Sequence, residues 1–297
     1  MSIRLFVTVS RVAVPALTKP GGIHILTGIK AGDPVNIVGG KKMRLANMTW
    51  PQAGEYFMNN DIVLLSVGSI ECHGKHLPLG TDTLIPQKLL ELIEPLTDVA
   101  IAPIIPFGAC DSQTDYPGTV SLGQDTLYEV FTKLTQGYKA HGARRFVVLN
   151  GHGGNVPVLD RVALDLQRQG CMLAQMNWWL MAWDLDPAWK GGHGGAEETA
   201  GILAVDPKLV DWDSVEDMVL KPVSDELEAT GFKTVRYKGV EIPLVRPVTD
   251  ITDNGWIGPD HPKNATEKWG KEMLEACAKY IADFMEAFRR APLPDRK

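Results

Sequence analysis

The sequence predicts an α/β fold with a mostly parallel central sheet, preceded by a β-rich N-terminal extension. Three observations carry this. From about residue 50 onward, apolar runs of strand length alternate with stretches of helical periodicity, the pattern of βαβ units. Before that point the chain is rich in Gly, Pro, Val and Ile, with turn signals at Lys19-Pro20-Gly21-Gly22, Gly32-Asp33-Pro34 and Gly39-Gly40. The 297 residues are 44% hydrophobic and 22% charged, globular values in a chain long enough for a large core.

The elements follow in order. Residues 1–45 read as short strands between turns, an arm or extra hairpin without chemistry of its own. Residues 46–297 read as one domain. The continuous apolar run at 61–68 predicts a buried strand, and 84–96 a helix. Residues 99–105 predict a second strand, whose Pro103 lacks an N–H and so marks a strand end or sheet edge. Residues 124–140 predict a helix with Leu127, Val130, Phe131 and Leu134 on one face. Residues 145–150 predict a third strand, 156–169 a helix, 171–176 a fourth strand and 197–205 a helix. A long C-terminal helix is predicted over 265–288, with Thr266 contributing to its cap. In such sheets, ligands bind beyond the carboxyl ends of the strands.

Charge and composition exclude some functions. The 36 acidic and 30 basic residues give a net charge of -6, which argues against a nucleic-acid or anionic-membrane surface. No run approaches the ~20 apolar residues that span a bilayer. The apolar run at 5–9 is cut by Arg11, too soon for a secretory leader. Cys72, Cys110, Cys171 and Cys277 are scattered, which predicts thiols in a reducing compartment, the cytoplasm.

Chemistry concentrates in three segments. After the first core strand come Gly68, Ser69, Glu71, Cys72, His73, Gly74, Lys75 and His76, then Asp82. After the third come Asn150-Gly151-His152-Gly153-Gly154-Asn155. The last is His193-Gly194-Gly195-Ala196-Glu197-Glu198-Thr199. Four of the seven histidines fall in these segments. Carboxylates and imidazoles are ligands for Zn²⁺, and also suit Mn²⁺ or Fe²⁺. At an extended strand end, alternate side chains share a face, so Glu71 and His73 face one pocket with Cys72 opposite. Asp82 returns to that pocket from the following turn. A lone histidine after a strand is ordinarily structural; three glycine-flanked clusters are harder to read that way. No Gly-x-Ser-x-Gly elbow, phosphate-binding loop or His-Glu-x-x-His motif is present, which weakens serine-hydrolase, NTPase and zincin readings.

These residues carry a resemblance to the creatininase (creatinine amidohydrolase) family. It rests on Gly68-x-x-Glu71-x-His73-Gly74-x-His76, Asp82, Asn150-Gly151-His152 and His193-Gly194-Gly195-x-x-Glu198-Thr199. It extends over residues 46–290. The resemblance implies a three-layer α/β/α fold, a homohexamer built as a trimer of dimers, and a binuclear centre with two divalent ions per chain. It matches Glu71, His73, Asp82 and His152 to metal ligands, with Asp82 bridging. A further family ligand, a Glu two positions after the second motif's histidine, is Gly154 here, and Glu198 is its best replacement. His193 matches the histidine that moves protons, and Trp189 a tryptophan that lines the pocket. Two cations ~3.5–4 Å apart activate a shared water and polarise a carbonyl. Glu197 is expected to face solvent or pair with a lysine.

Trp178, Trp179, Trp183 and Trp189 crowd one segment, as core packing or as a wall over the site; Trp179 and Trp189 are the candidate substrate contacts. Lys75 is a third, although a solvated lysine is the plainer reading. The polar loop at 107–116, with Asp111, Ser112, Gln113 and Asp115, is a candidate substrate loop. The expected activity is metal-dependent hydrolysis of a small polar, cyclic amide other than creatinine. The alternatives are hydrolytic C–C opening of a cyclic polyol ketone of the dehydro-inosose type, and a non-catalytic metal- or ligand-binding protein on the same scaffold.

Overall fold

The computed structural model describes residues 43–295. The predicted N-terminal extension therefore lies outside the described residues, except for its last three. Met43 is buried in the core and Arg44 bridges to Ile101. The first helix, α1 (Trp50–Asn59), was not apparent in the sequence reading. Its start is written locally: the Thr49 backbone N–H donates to Gln52 Oε1 at 2.8 Å, one half of a capping box.

The strand–helix alternation is present as predicted. β1 (Ile62–Val67) leads to α2 (Thr81–Ile93), β2 (Ala100–Ile101), α3 (Gly123–Ala140), β3 (Arg145–Asn150), α4 (Val156–Gln167) and β4 (Met172–Asn177). All pair in parallel in the order β2-β1-β3-β4. β2 is far shorter than the predicted run. Pro103 has no N–H to extend the ladder, and only an isolated bridge joins Ile105 to Val67. Two further helices follow, α5 (Trp178–Leu185) and α6 (Ala196–Val205). The tryptophan-rich segment is thus largely a helix.

Alternation along the strands sorts the core into two layers. Ile62 and Leu64 of β1, with Val147 and Leu149 of β3, join residues of α2, α5, α6 and the last helix. Val63 and Leu65, with Phe146 and Val148, face the opposite way onto α1, α3 and α4. Successive strand side chains point to opposite faces, so a strand buried on both sides reads as an unbroken apolar run. The result is the three-layer α/β/α arrangement.

Between α6 and the last helix lies a segment that the sequence reading left without elements. It contains an antiparallel three-stranded sheet, β5 (Glu228–Gly231), β6 (Thr234–Tyr237) and β7 (Val240–Pro243). Its own small core joins Ala229, Val248, Ile251 and Ile257, with Tyr116, Leu220 and Phe232 packed against it. α7 (Glu267–Arg290) closes the described chain; the Thr266 side chain accepts from the Trp269 N–H, as its sequence predicted.

Candidate metal centre

The carboxyl ends of β1 and β3 supply the first two motifs. Glu71 and His73 follow β1, and His152 follows β3. Gly151 lets this turn approach α2, because a Cβ there would collide with the Asp82 carbonyl oxygen. Asp82 lies in the first turn of α2, not in a loop before the helix. There the partial positive charge of the helix N-terminus favours a carboxylate. The third motif, at the start of α6, brings His193 and Glu198. His76 joins the first motif to the third, with its Nε2 3.3 Å from Thr199 Oγ1.

These side chains converge on one buried cluster. His73 Nε2 is 3.0 Å from Asp82 Oδ1 and 3.6 Å from Glu198 Oε2. His152 Nδ1 is 3.1 Å from Glu71 Oε1 and 3.0 Å from Asp82 Oδ2. His193 Nδ1 is 3.9 Å from Glu71 Oε1. Three sets of potential ligand atoms result: Glu71, Asp82 and His152; His73, Asp82 and Glu198; and Glu71, His73 and His193. Gly154 leaves no room for a side chain. A Cβ there would strike the Ala109 carbonyl oxygen and the His152 ring, whereas Glu198 of α6 places a carboxylate oxygen 3.6 Å from His73.

The hydrogen bonds around the cluster fix how its rings face inward. A carbonyl oxygen only accepts, so the ring nitrogen facing it carries the hydrogen. His73 Nδ1 faces Glu71 O at 3.1 Å, His152 Nε2 faces Ala109 O at 3.1 Å, and His193 Nε2 faces Cys72 O at 2.6 Å. Each ring's other nitrogen therefore turns toward carboxylate oxygens. A lone pair there needs a cation between, or a second proton. Asp82 Oδ2 is buried and makes no hydrogen bond despite its nearness to His152. An orphaned carboxylate oxygen beside inward imidazole nitrogens fits a divalent cation.

Charge sharpens the picture. Burial opposes a charge on His73, but Asp82, Glu198 and Glu71 outweigh it and raise its pKa to about 10. Burial likewise opposes a charge on His152, and Glu71 and Asp82 drive it well above the usual value. Burial disfavours the Asp82 carboxylate, yet His73 and His152 hold it well below the usual range. His193 goes the other way: burial, reinforced by His73, lowers it to about 3. Burial pushes Glu198 up to about 7 against the pull of His73.

Glu71 is held at both oxygens. Ser69 Oγ donates to Oε2 at 2.7 Å and Gln113 Nε2 to Oε1 at 2.5 Å. Two residues of the predicted substrate loop thus turn onto the cluster, Gln113 through its side chain and Ala109 through its carbonyl. Glu197 corrects its expectation. It is buried, not solvent-facing, and accepts from Trp183 Nε1 at 2.8 Å rather than pairing with a lysine. Cys72 presents its backbone carbonyl to His193, while its thiol faces the Gly74 and Gly255 carbonyls. Trp179 approaches the second motif: a Cβ on Gly153 would lie 3.9 Å from its ring. Trp189 packs against the α2–α6–α7 side of the core. Lys75 is half exposed and pairs with Glu216 at 2.6 Å, outside the cluster.

A family model described as creatinine amidohydrolase matches residues 46–285. The chain belongs to the creatininase family. It is 30% identical over 201 residues to a creatinine amidohydrolase of Pseudomonas putida, spanning 60% of this chain and 77% of that one. It is 32% identical over 229 residues to the mycofactocin precursor peptide peptidase of Mycolicibacterium smegmatis, spanning 74% and 84%. A 3-dehydro-scyllo-inosose hydrolase of Thermotoga maritima is 25% identical over 174 residues, spanning 55% and 56%. Among solved structures, a manganese form of creatininase superposes with a TM-score of 0.67 at 25% identity, covering 84% of this chain and all of that one. A zinc–zinc form superposes at 0.65 and 25% identity, covering 85% of this chain and all of that one. The protein is a metal-dependent hydrolase of this family.

Proposed function

We propose that the centre holds two divalent cations, Zn²⁺ or Mn²⁺, and hydrolyses an amide bond in a small cyclic substrate. Glu71, Asp82 and His152 would hold one ion; His73, Asp82 and Glu198 would hold the other. Asp82 is the shared ligand, because its two oxygens face the two histidines separately. When bound, such a pair supplies Lewis acidity for a carbonyl and activation of a water. The chain does the rest. Ser69 and Gln113 fix the Glu71 carboxylate, and the carbonyls of Glu71 and Ala109 fix the ligand rings.

The observation that carries the reading is the asymmetry among the three imidazoles. His73 and His152 each turn a ring nitrogen onto Asp82 at 3.0 Å, whereas His193 Nδ1 stands 3.9 Å from Glu71 Oε1 and its Nε2 donates to the Cys72 carbonyl. A neutral imidazole at the edge of the centre takes a proton from water and returns it to the leaving nitrogen. The polyol-ketone alternative is less well supported. The polar loop meant for such a substrate spends its side chains internally: Asp111 accepts from Ser121, Asp115 from Thr249, and Gln113 donates to Glu71.

The test is metal content per chain in protein purified without chelators, measured beside His193→Ala. Two ions per chain are expected in both. The variant should keep its metal and lose about 10²–10⁴ in kcat, the range for a general acid–base group. Loss of metal in His193→Ala would instead make His193 a ligand, as its set with Glu71 and His73 allows.

A further inference from the structure

The three-stranded sheet carries an unexpected residue at its tip. The β5–β6 connection consists of Phe232 and Lys233, between Gly231 and Thr234. Hairpin tips ordinarily carry Gly, Asn or Asp and point to solvent. Here the register shifts between Ala229 and Gly231. Such an irregularity re-aims side chains. Phe232 is partly buried, and its ring meets that of His193 edge-on, with centroids 4.7 Å apart. His193 also stacks on His73 at 4.2 Å.

At 4.7 Å the two rings are in contact, and no substrate atom fits between them. His193 Nε2 is already spent on the Cys72 carbonyl. His73 and Phe232 thus cover two sides of the His193 ring, whose Nδ1 turns toward Glu71. We propose that Phe232 is a specificity-determining wall that admits substrates with a compact leaving group and turns away those whose leaving nitrogen continues into an extended chain. The proposal rests on the hydrolase reading above and deepens it, toward small cyclic amides and away from peptides. The wall is mounted on a thin support. Within β5–β7 only Ala229 and Val235 are buried, and every residue of β7 is exposed. A wall so mounted can be changed without disturbing the parallel sheet that carries the ligands.

The experiment compares the metal-loaded wild type with Phe232→Ala, Phe232→Leu and Phe232→Trp. The first readout needs no substrate: the rate at which diethyl pyrocarbonate modifies His193, followed by peptide mass spectrometry. Phe232→Ala should raise it, Phe232→Leu should stay near wild type, and Phe232→Trp should lower it, with metal content unchanged throughout. The second readout is the ratio of kcat/KM for N-benzylsuccinimide to that for succinimide. That ratio should rise by about tenfold or more in Phe232→Ala, in line with pocket-size discrimination, and fall in Phe232→Trp. Unchanged His193 reactivity and an unchanged ratio in Phe232→Ala would overturn the proposal. If no variant hydrolyses either imide while His193 reactivity still follows side-chain size, the wall stands and the cyclic-amide reading falls.

Discussion

β1 and β3 are buried at every residue, whereas β7 is exposed at every residue. The parallel strands end in Glu71, His73 and His152; the small antiparallel sheet contributes Phe232 from a turn. In the first region, each inward group is fixed by a second hydrogen bond, to a backbone carbonyl or to Ser69 and Gln113. In the second, a handful of apolar contacts hold the piece in place. Rigidity is concentrated where ligand geometry must hold to a fraction of an ångström. The small sheet, from which Phe232 reaches His193, is built more loosely, as in many enzymes with rigid scaffolds and adaptable loops.

The comparison is broken most severely at Asp82. Asp82→Ala removes an atom set common to two of the ligand groups and should abolish metal binding and turnover together, read by metal analysis and activity on one preparation. Next is Gln113→Ala, which frees one oxygen of Glu71. It should weaken metal affinity by about 10–100-fold, the usual cost of losing a ligand's supporting bond, measured by chelator competition.

Acidity tests the same region without mutation. His73 rises from 6.5 to about 10 in the folded, metal-free chain, and His152 rises with it. A raised pKa stabilises the fold fully below the unfolded value and loses that contribution as pH climbs through the folded one. The chelated protein should therefore lose thermal stability between pH 6.5 and about 10, while the loaded protein holds its Tm better over that window. Metal affinity should rise over the same interval, as cations replace those protons. The smallest effect belongs to the second region. Val240→Asp, on exposed β7, should change stability by no more than about 0.5 kcal/mol, read by denaturant unfolding.

The motifs at Glu71-x-His73, His152 and His193-x-x-x-x-Glu198 were legible because strand-end and helix-start spacing, together with family resemblance, point to one pocket. β1 and β3 were legible because strands inside a parallel sheet leave long apolar runs. β5–β7 left no such trace: their exposed positions mix Glu228, Arg236 and Glu241 with Tyr237, Val240 and Ile242, and no large core imposes a period. Gln113 looked like one polar residue among several in a loop, and only the chain's path turns it onto Glu71. Glu197 and Glu198 are adjacent on a helix, about 100° apart. Sequence alone did not show that Glu197 is buried against Trp183 while Glu198 faces the cluster.

By itself, the sequence determined the α/β order of the central sheet and the residue types gathered at its carboxyl ends, because periodicity and residue chemistry are local properties. The tertiary structure decided which nitrogen of each histidine faces inward and that the Glu198 carboxylate lies beside His73. It also decided that an aromatic turn from a distant sheet stands beside His193. Those depend on backbone carbonyls and packed neighbours far apart in the chain, and no local pattern encodes them.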